Sequence, residues 1–387
     1  MNSTPHTADR LYNPRHARGL SLIELMVALG IGAFLMLGIV TVFLANKNSA
    51  AIENSLAGLQ ENGRFAIDMI RRDLHRSQFL GCNTGQVFFV NMIDDPNEPG
   101  FNAALDGLRG YRRADDGSWG TVPDPNDLSA GLVAAEASRG ARDGSDVLSV
   151  RMTESLNPDD PNDLLLTALV LPSSTAVSVD DNPDCRVQSG SRLVLSGCNL
   201  TAHLFEVTNA QTCAPATAPN ATTFVFGASA NTTTRINTTY NTESQILLYE
   251  AAFWFVADTQ RVVSVNNTDV PVYALYREVN GERQEMIEGV EFMQVRFGQR
   301  VAGTDNLRFV AGDDANLNTG LNYEGVNSVH ISFLLQAFDA VRTEDDDNTY
   351  SLLGTEYSLD TTVTHSGGRF QRDVFSAVIS LRNAPDF

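Results

Sequence analysis

Hydrophobic and polar positions pass through three regimes along this chain. From Leu25 to Ala45 no residue is charged and none is proline. At ~1.5 Å per residue that run gives ~30 Å of apolar helix, the thickness of a hydrocarbon core. Beyond Lys47 the rhythm turns amphipathic. Ile52, Leu56, Leu59, Ala66, Ile67, Ile70 and Leu74 recur at helical spacings, while Glu53, Glu61, Arg64, Asp68, Arg71 and Arg72 fall largely elsewhere. The helix is expected to run to about Gln78, with Gly81 as its stop. Its apolar stripe needs a surface to cover it.

That surface is expected from the third regime. Residues 83–145 hold many turn residues, as in "DDPNEPG" and "VPDPND", and read as a long connection. Strand patterns follow at 146–152, 164–171 ("LLLTALVL"), 192–196, 203–209 and 222–227. Others lie at 245–257, 272–279, 290–298, 329–338 and 373–383. Strands joined by Thr/Asn-rich or Asp-rich loops predict an antiparallel head over 82–387, behind a transmembrane half-helix (20–45) and an amphipathic half-helix (46–81). The fold class is α+β.

Composition narrows the chemistry. With 387 residues, 43% of them hydrophobic, the chain is long enough for a sizeable core. The formal charge is −20 and no basic face is evident, so direct nucleic-acid binding is not expected. GxxxxGK[ST] and HExxH are absent and the histidines show no metal-ligand spacing, so neither an enzyme nor a cofactor is expected. The four cysteines, Cys82, Cys185, Cys198 and Cys213, form no CxxC pair. In an exported chain they are expected to form two disulfides, with three connectivities open and four free thiols as the alternative. "CRVQSGSRLVLSGC" closes a short loop, which favours Cys185 with Cys198 and leaves Cys82 with Cys213.

The apolar run carries one anomaly, Glu24. Arg10, Arg15 and Arg18 precede the run and Lys47 follows it, which orients the N-terminus to the cytoplasm and the remainder outward. An ordinary secretory signal has a shorter core and a small-residue cleavage site beyond it. Here the informative residues lie before the run, where "RGLSLIE" resembles the class III signal of type IV prepilins: basic residue, glycine, apolar residue, and glutamate at the fifth place after the cut. The resemblance implies a leader of residues 1–19, cleavage by prepilin peptidase between Gly19 and Leu20, and N-methylation of Leu20. Leu20 stands where most such chains have Phe. It also implies that Glu24 pairs with the new amine, on its own or a neighbouring subunit, and sets subunit register. A carboxylate at mid-bilayer costs at least ~2.5–3.5 kcal/mol, which such a partner offsets. A plain single-pass anchor with a snorkelling carboxylate is the alternative.

"DVLSVR", "CRVQSGSRLVLSGCNLTAHLFEVT", "ALYREVNGERQEMIEGVEFMQVRFG", "SVHISFLLQA" and "VFSAVISLRN" together resemble the PilW group of minor pilins, relatives of the pseudopilins of type II secretion. The resemblance implies a minor pilin that waits in the bacterial inner membrane and then enters an extracellular pilus. It primes assembly and sits at or near the tip with other minor pilins, the major pilin and, in some systems, a tip adhesin. A type II secretion pseudopilin and a non-polymerising anchored adhesin are the competing readings.

Four other stretches carry candidate chemistry. "DANLNTGLNYEG" sets Asp314, Asn316, Asn318, Gly320 and Asn322 close to an EF-hand order and is a weak candidate for a calcium loop, because it lacks the loop glycine at its sixth place and the glutamate at its twelfth. "NPDDPND" (157–163) and "RTEDDDNTY" (342–350) read as solvated loops. "FWFVA" (253–257), Tyr276 and Arg277 read as core packing.

Overall fold

The structure is a computed structural model. It describes residues 21–382, apart from 78, 82–87, 94–106, 121–127, 157–165, 180–184, 199, 211–221, 232–235, 266, 302–303, 305, 314–324 and 360–363. The chain divides into two compact units, Met1–Glu53 and Asn54–Phe387.

Helix α1 spans Leu22–Arg76, and its large apolar side chains from Leu22 to Leu44 are exposed. The strands are β1 (Phe88–Asn91), β2 (Leu108–Arg112), β3 (Asp146–Ser155), β4 (Ala176–Val179), β5 (Arg192–Gly197), β6 (Thr201–Glu206), β7 (Thr222–Val225) and β8 (Gln245–Val265). There follow β9 (Thr268–Val279), β10 (Glu282–Glu288), β11 (Val290–Arg300), β12 (Leu307–Ala311), β13 (Val326–Gln336), β14 (Tyr350–Leu352), β15 (Thr355–Tyr357) and β16 (Arg372–Ser380). A one-turn helix, α2 (Ala130–Val133), lies between β2 and β3.

An eight-stranded sheet runs β1-β6-β5-β8-β3-β2, with β9 on β8 and β10 on β9. All its pairs are antiparallel except β1 with β6. Strand β8 pairs with β5 and β3 along its first part and with β9 from Ala252 onward. A bulge between Asp258 and Arg261, with Gln260 at φ 62°, carries β8 past the end expected at residue 257. A four-stranded antiparallel sheet, β12-β11-β13-β16, and two small ones, β14-β15 and β4-β7, complete the head.

The largest core joins the two big sheets to the second half of α1. Leu59, Ala66, Ile70 and Leu74 pack there with Leu148 and Val150 of β3, Trp254 of β8, Leu275 of β9, Met293 of β11 and Phe333 of β13. A separate core under β4 and β7 includes Phe205 and Phe226, with ring centroids 4.5 Å apart. The antiparallel, β-rich head expected from the alternating pattern is therefore present.

Two expectations need correction. "LLLTALVL" forms no strand in its described part: Leu166 and Val170 make only isolated bridges, to Val179 and Tyr240. The connection 83–145 contains β1 and β2, whose short length gave the alternation too few residues to register.

Candidate functional site

The first turn of α1 is built by its own sequence. Ser21 Oγ accepts the Glu24 N–H at 3.2 Å, and the Leu25 N–H reaches Ser21 O at 3.1 Å. Ser21 is thus the N-cap, and Ser21-x-x-Glu24 has the spacing of a capping box. Glu24 is an acid in the first turn, where the helix dipole favours negative charge. Sequence reasoning gave Glu24 a role and passed over Ser21, although the spacing was readable in "SLIE". Gly19 and Leu20 lie outside the described residues.

The other end of α1 is seated on the head. Leu59, Gly63, Ala66, Ile70, Asp73 and Leu74 are its buried residues, one stripe at spacings of four and three. Gly63 meets the Phe375 ring of β16 so closely that an added Cβ would lie 2.5 Å from ring carbons. Asp73 falls on the same stripe as the apolar residues, a polar residue at a core position, and that was its signal in the sequence. Its carboxylate accepts Trp254 Nε1–H at 2.9 Å and Arg277 Nε–H at 2.8 Å. Trp254 is buried as expected. Arg277, read from the sequence as packing, instead forms an ion pair to the helix.

Where α1 stops, side chains satisfy one carbonyl of its last turn and two of the chain that follows. Ser77 Oγ donates to Leu74 O at 2.7 Å, and Thr153 Oγ1 donates to Phe79 O. Ser196 Oγ of β5 donates to Leu80 O at 2.6 Å. The helix ends at Arg76, slightly short of Gln78, and Gly81 at φ 69° belongs to the turn that follows rather than to the cap.

A second polar centre lies inside the head. Arg372 of β16, wholly buried, donates through Nε to Glu291 at 2.8 Å and through Nη1 to Asp346 at 3.0 Å. Its Nη2 donates to Gly367 O at 2.6 Å. Tyr350 OH donates to Asp346 at 2.9 Å. Arg142 lies between the Tyr273 and Phe292 rings, 3.5 and 3.7 Å from their centroids, and donates to Glu291 O at 2.8 Å. Burial alone would raise the Glu291 carboxyl, but the Arg372 and Arg142 charges bring it down to about 2. Burial, and then the charge of Arg372, push the His365 imidazole down. The run 342–350 is mostly exposed chain, as its acidic composition suggests, with one exception: Asp346 is 0% exposed, because Arg372 neutralises it inside the core.

Cys185 and Cys198 are both disulfide-bonded, one ahead of β5 and one directly after it. Cys82 and Cys213 lie outside the described residues, as do Asp314, Asn316, Asn318, Gly320, Asn322 and the run 157–163. Among the described residues no three His, Cys, Asp or Glu side chains form a metal-holding group.

Comparison with known families adds two matches. Residues 271–383 match PilW, the Type IV Pilus-assembly protein W family, and residues 14–40 match the prokaryotic N-terminal methylation motif. No curated protein and no solved structure matches the chain. The PilW match runs from β9 through β16 and so includes Arg277, Glu291, Asp346, Arg372 and Phe375, while Trp254 and Arg142 of the two polar centres lie outside it. The methylation motif covers the prepilin-like leader junction and most of the apolar run, supporting membrane anchoring and a place in the pilus.

Proposed function

We propose, from the premise that this is a type IV pilus-related pilin of the PilW type, that the chain is a minor pilin that primes pilus assembly and sits at or near the tip. Prepilin peptidase cuts it between Gly19 and Leu20, and Leu20 is methylated. Before assembly a single transmembrane pass holds it in the inner membrane with the N-terminus in the cytoplasm. It then joins other minor pilins and the major pilin.

The observation that carries this reading is the overlap of the methylation motif with a helix whose apolar side chains from Leu22 to Leu44 are all exposed. Removing each such side chain from water is worth about 1.5–3 kcal/mol, so the helix needs lipid first and neighbouring helices afterwards. Within that surface Glu24 is the only ionisable group between Leu22 and Ala45. The amine freed at Leu20 would give it a partner where opposite charges attract more strongly than in water.

The test is Glu24→Ala, followed by immunoblotting of sheared pili and of whole cells. Leader cleavage should persist while the variant's share in pili falls several-fold. Incorporation at the parental level would overturn the pairing role. Priming is checked separately by deleting the gene: surface pili should drop sharply, and unchanged piliation would contradict it.

A further inference from the structure

Beyond the helix seat, the head carries a polar cleft of about 630 Å³ that the pilin reading does not use. Its floor is one face of three strands. Arg277 of β9 stands opposite Gln284 of β10, and Val279 opposite Glu282. Val279 also pairs with Ala252 of β8, so Glu250, two residues earlier on β8, points to the same face just beyond the end of β9. The Asn280-Gly281 tip of the β9–β10 hairpin, with φ 52° and 78°, closes one side in the tight-turn geometry these residues favour.

The charges in this cleft are not equivalent. Arg277 is committed to Asp73 of α1, and Arg283 binds Glu278 through Nε and Nη2 at 3.2 and 3.1 Å. Both cations are therefore already neutralised. Glu250 is half-buried and accepts no hydrogen bond among the described residues, although a desolvated carboxylate ordinarily has a partner. Burial and then Glu154 raise its carboxyl above the ordinary value, while Arg277, Arg76 and Arg186 act in the other direction. Gln284 and Asn280 add neutral amide groups around it.

We infer that this cleft binds an organic cation, an alkyl guanidinium or primary ammonium, whose charged head pairs with Glu250 and whose stem lies along Val279. The shared chemistry admits two sources, a basic side chain of a neighbouring protein or a free amine. The separation between them is experimental.

The full chain in detergent is titrated calorimetrically with agmatine, and separately with the peptide Gly-Gly-Arg-Gly-Gly. Saturable binding is expected, weakened at least tenfold by Glu250→Gln. Gln284→Lys, on the exposed face of the hairpin, sets a tethered ammonium in the cleft and should abolish binding while leaving the melting temperature unchanged. Tighter binding of the peptide assigns the site to a protein side chain, and tighter binding of agmatine to a free amine; both support the inference. No saturable heat up to about 10 mM, the weak end of specific affinity, would overturn it. So would binding that Gln284→Lys leaves intact, a result that stands even if Glu250→Gln fails to fold.

Discussion

Asp73 takes hydrogen bonds from both Trp254 and Arg277, so its removal strands two donors at once. Asp73→Ala should cost about 2–3 kcal/mol, below the ~3–5 kcal/mol of a fully buried broken pair because the Arg277 side chain is 22% exposed. Chemical denaturation of the full chain checks this, and a loss below about 0.5 kcal/mol would place the fastening of the helix in its apolar contacts alone. Glu291 supplies a pH signature. Its folded pKa, about 2, lies below the ordinary 4.5, so its contribution is fully present above pH 4.5 and is lost as pH falls toward 2. His365, shifted down from 6.5, has the same sign, because the unfolded chain takes up its proton first as pH falls. Asp146, raised to about 6 by burial, works in the opposite sense. The clean measurement is therefore a difference: Glu291→Gln should be less stable than the parent by about 3 kcal/mol near pH 7, with the gap closing as pH approaches 2. A gap independent of pH would contradict the assigned ion pair.

At the scale of elements, long periodic segments were legible and non-local partnerships were not. Helix α1 was readable because its apolar residues repeat at three and four, and β3, β8, β9, β11, β13 and β16 because they alternate over enough residues to show it. Within the otherwise exposed acidic run 342–350 the burial of Asp346 was not legible, because nothing local reveals that it faces Arg372, 26 residues along the chain. "LLLTALVL" misled because short apolar runs do not distinguish a strand from buried irregular chain. Gly63 marks the closest approach of helix and sheet, so Gly63→Val should force Phe375 aside and cost about 1–3 kcal/mol, read as a lowered melting temperature. The disulfides carry a further expectation. Gln188 ties Cys185 to the turn ahead of β5, whereas Cys198 follows its far end. A strand the length of β5, at ~3.3 Å per residue, exceeds the ~7 Å a disulfide spans. Non-reducing peptide mapping should therefore find Cys185 and Cys198 in separate disulfides. Recovery of a Cys185–Cys198 peptide would contradict this.

For the whole molecule, the division of labour follows from where apolar surface is covered. In the head, the stripe from Leu59 to Leu74 is buried against two sheets, and the PilW match covers most of the strands that form its seat. In the N-terminal unit, the apolar side chains lie bare and the matching motif is one of processing and methylation. The sequence made the second half of this plain, since Gly19, Leu20 and Glu24 stand in a short contiguous signal. It left the first half implicit, because a helix seat is assembled from residues far apart in the chain. Everything proposed for assembly depends on the leader being removed at one bond. Mass spectrometry of the N-terminal peptide from cell-derived protein tests that directly. The account predicts a chain beginning with N-methyl-leucine at Leu20; a functional protein that still begins at Met1, or is cut beyond the apolar run, would contradict it.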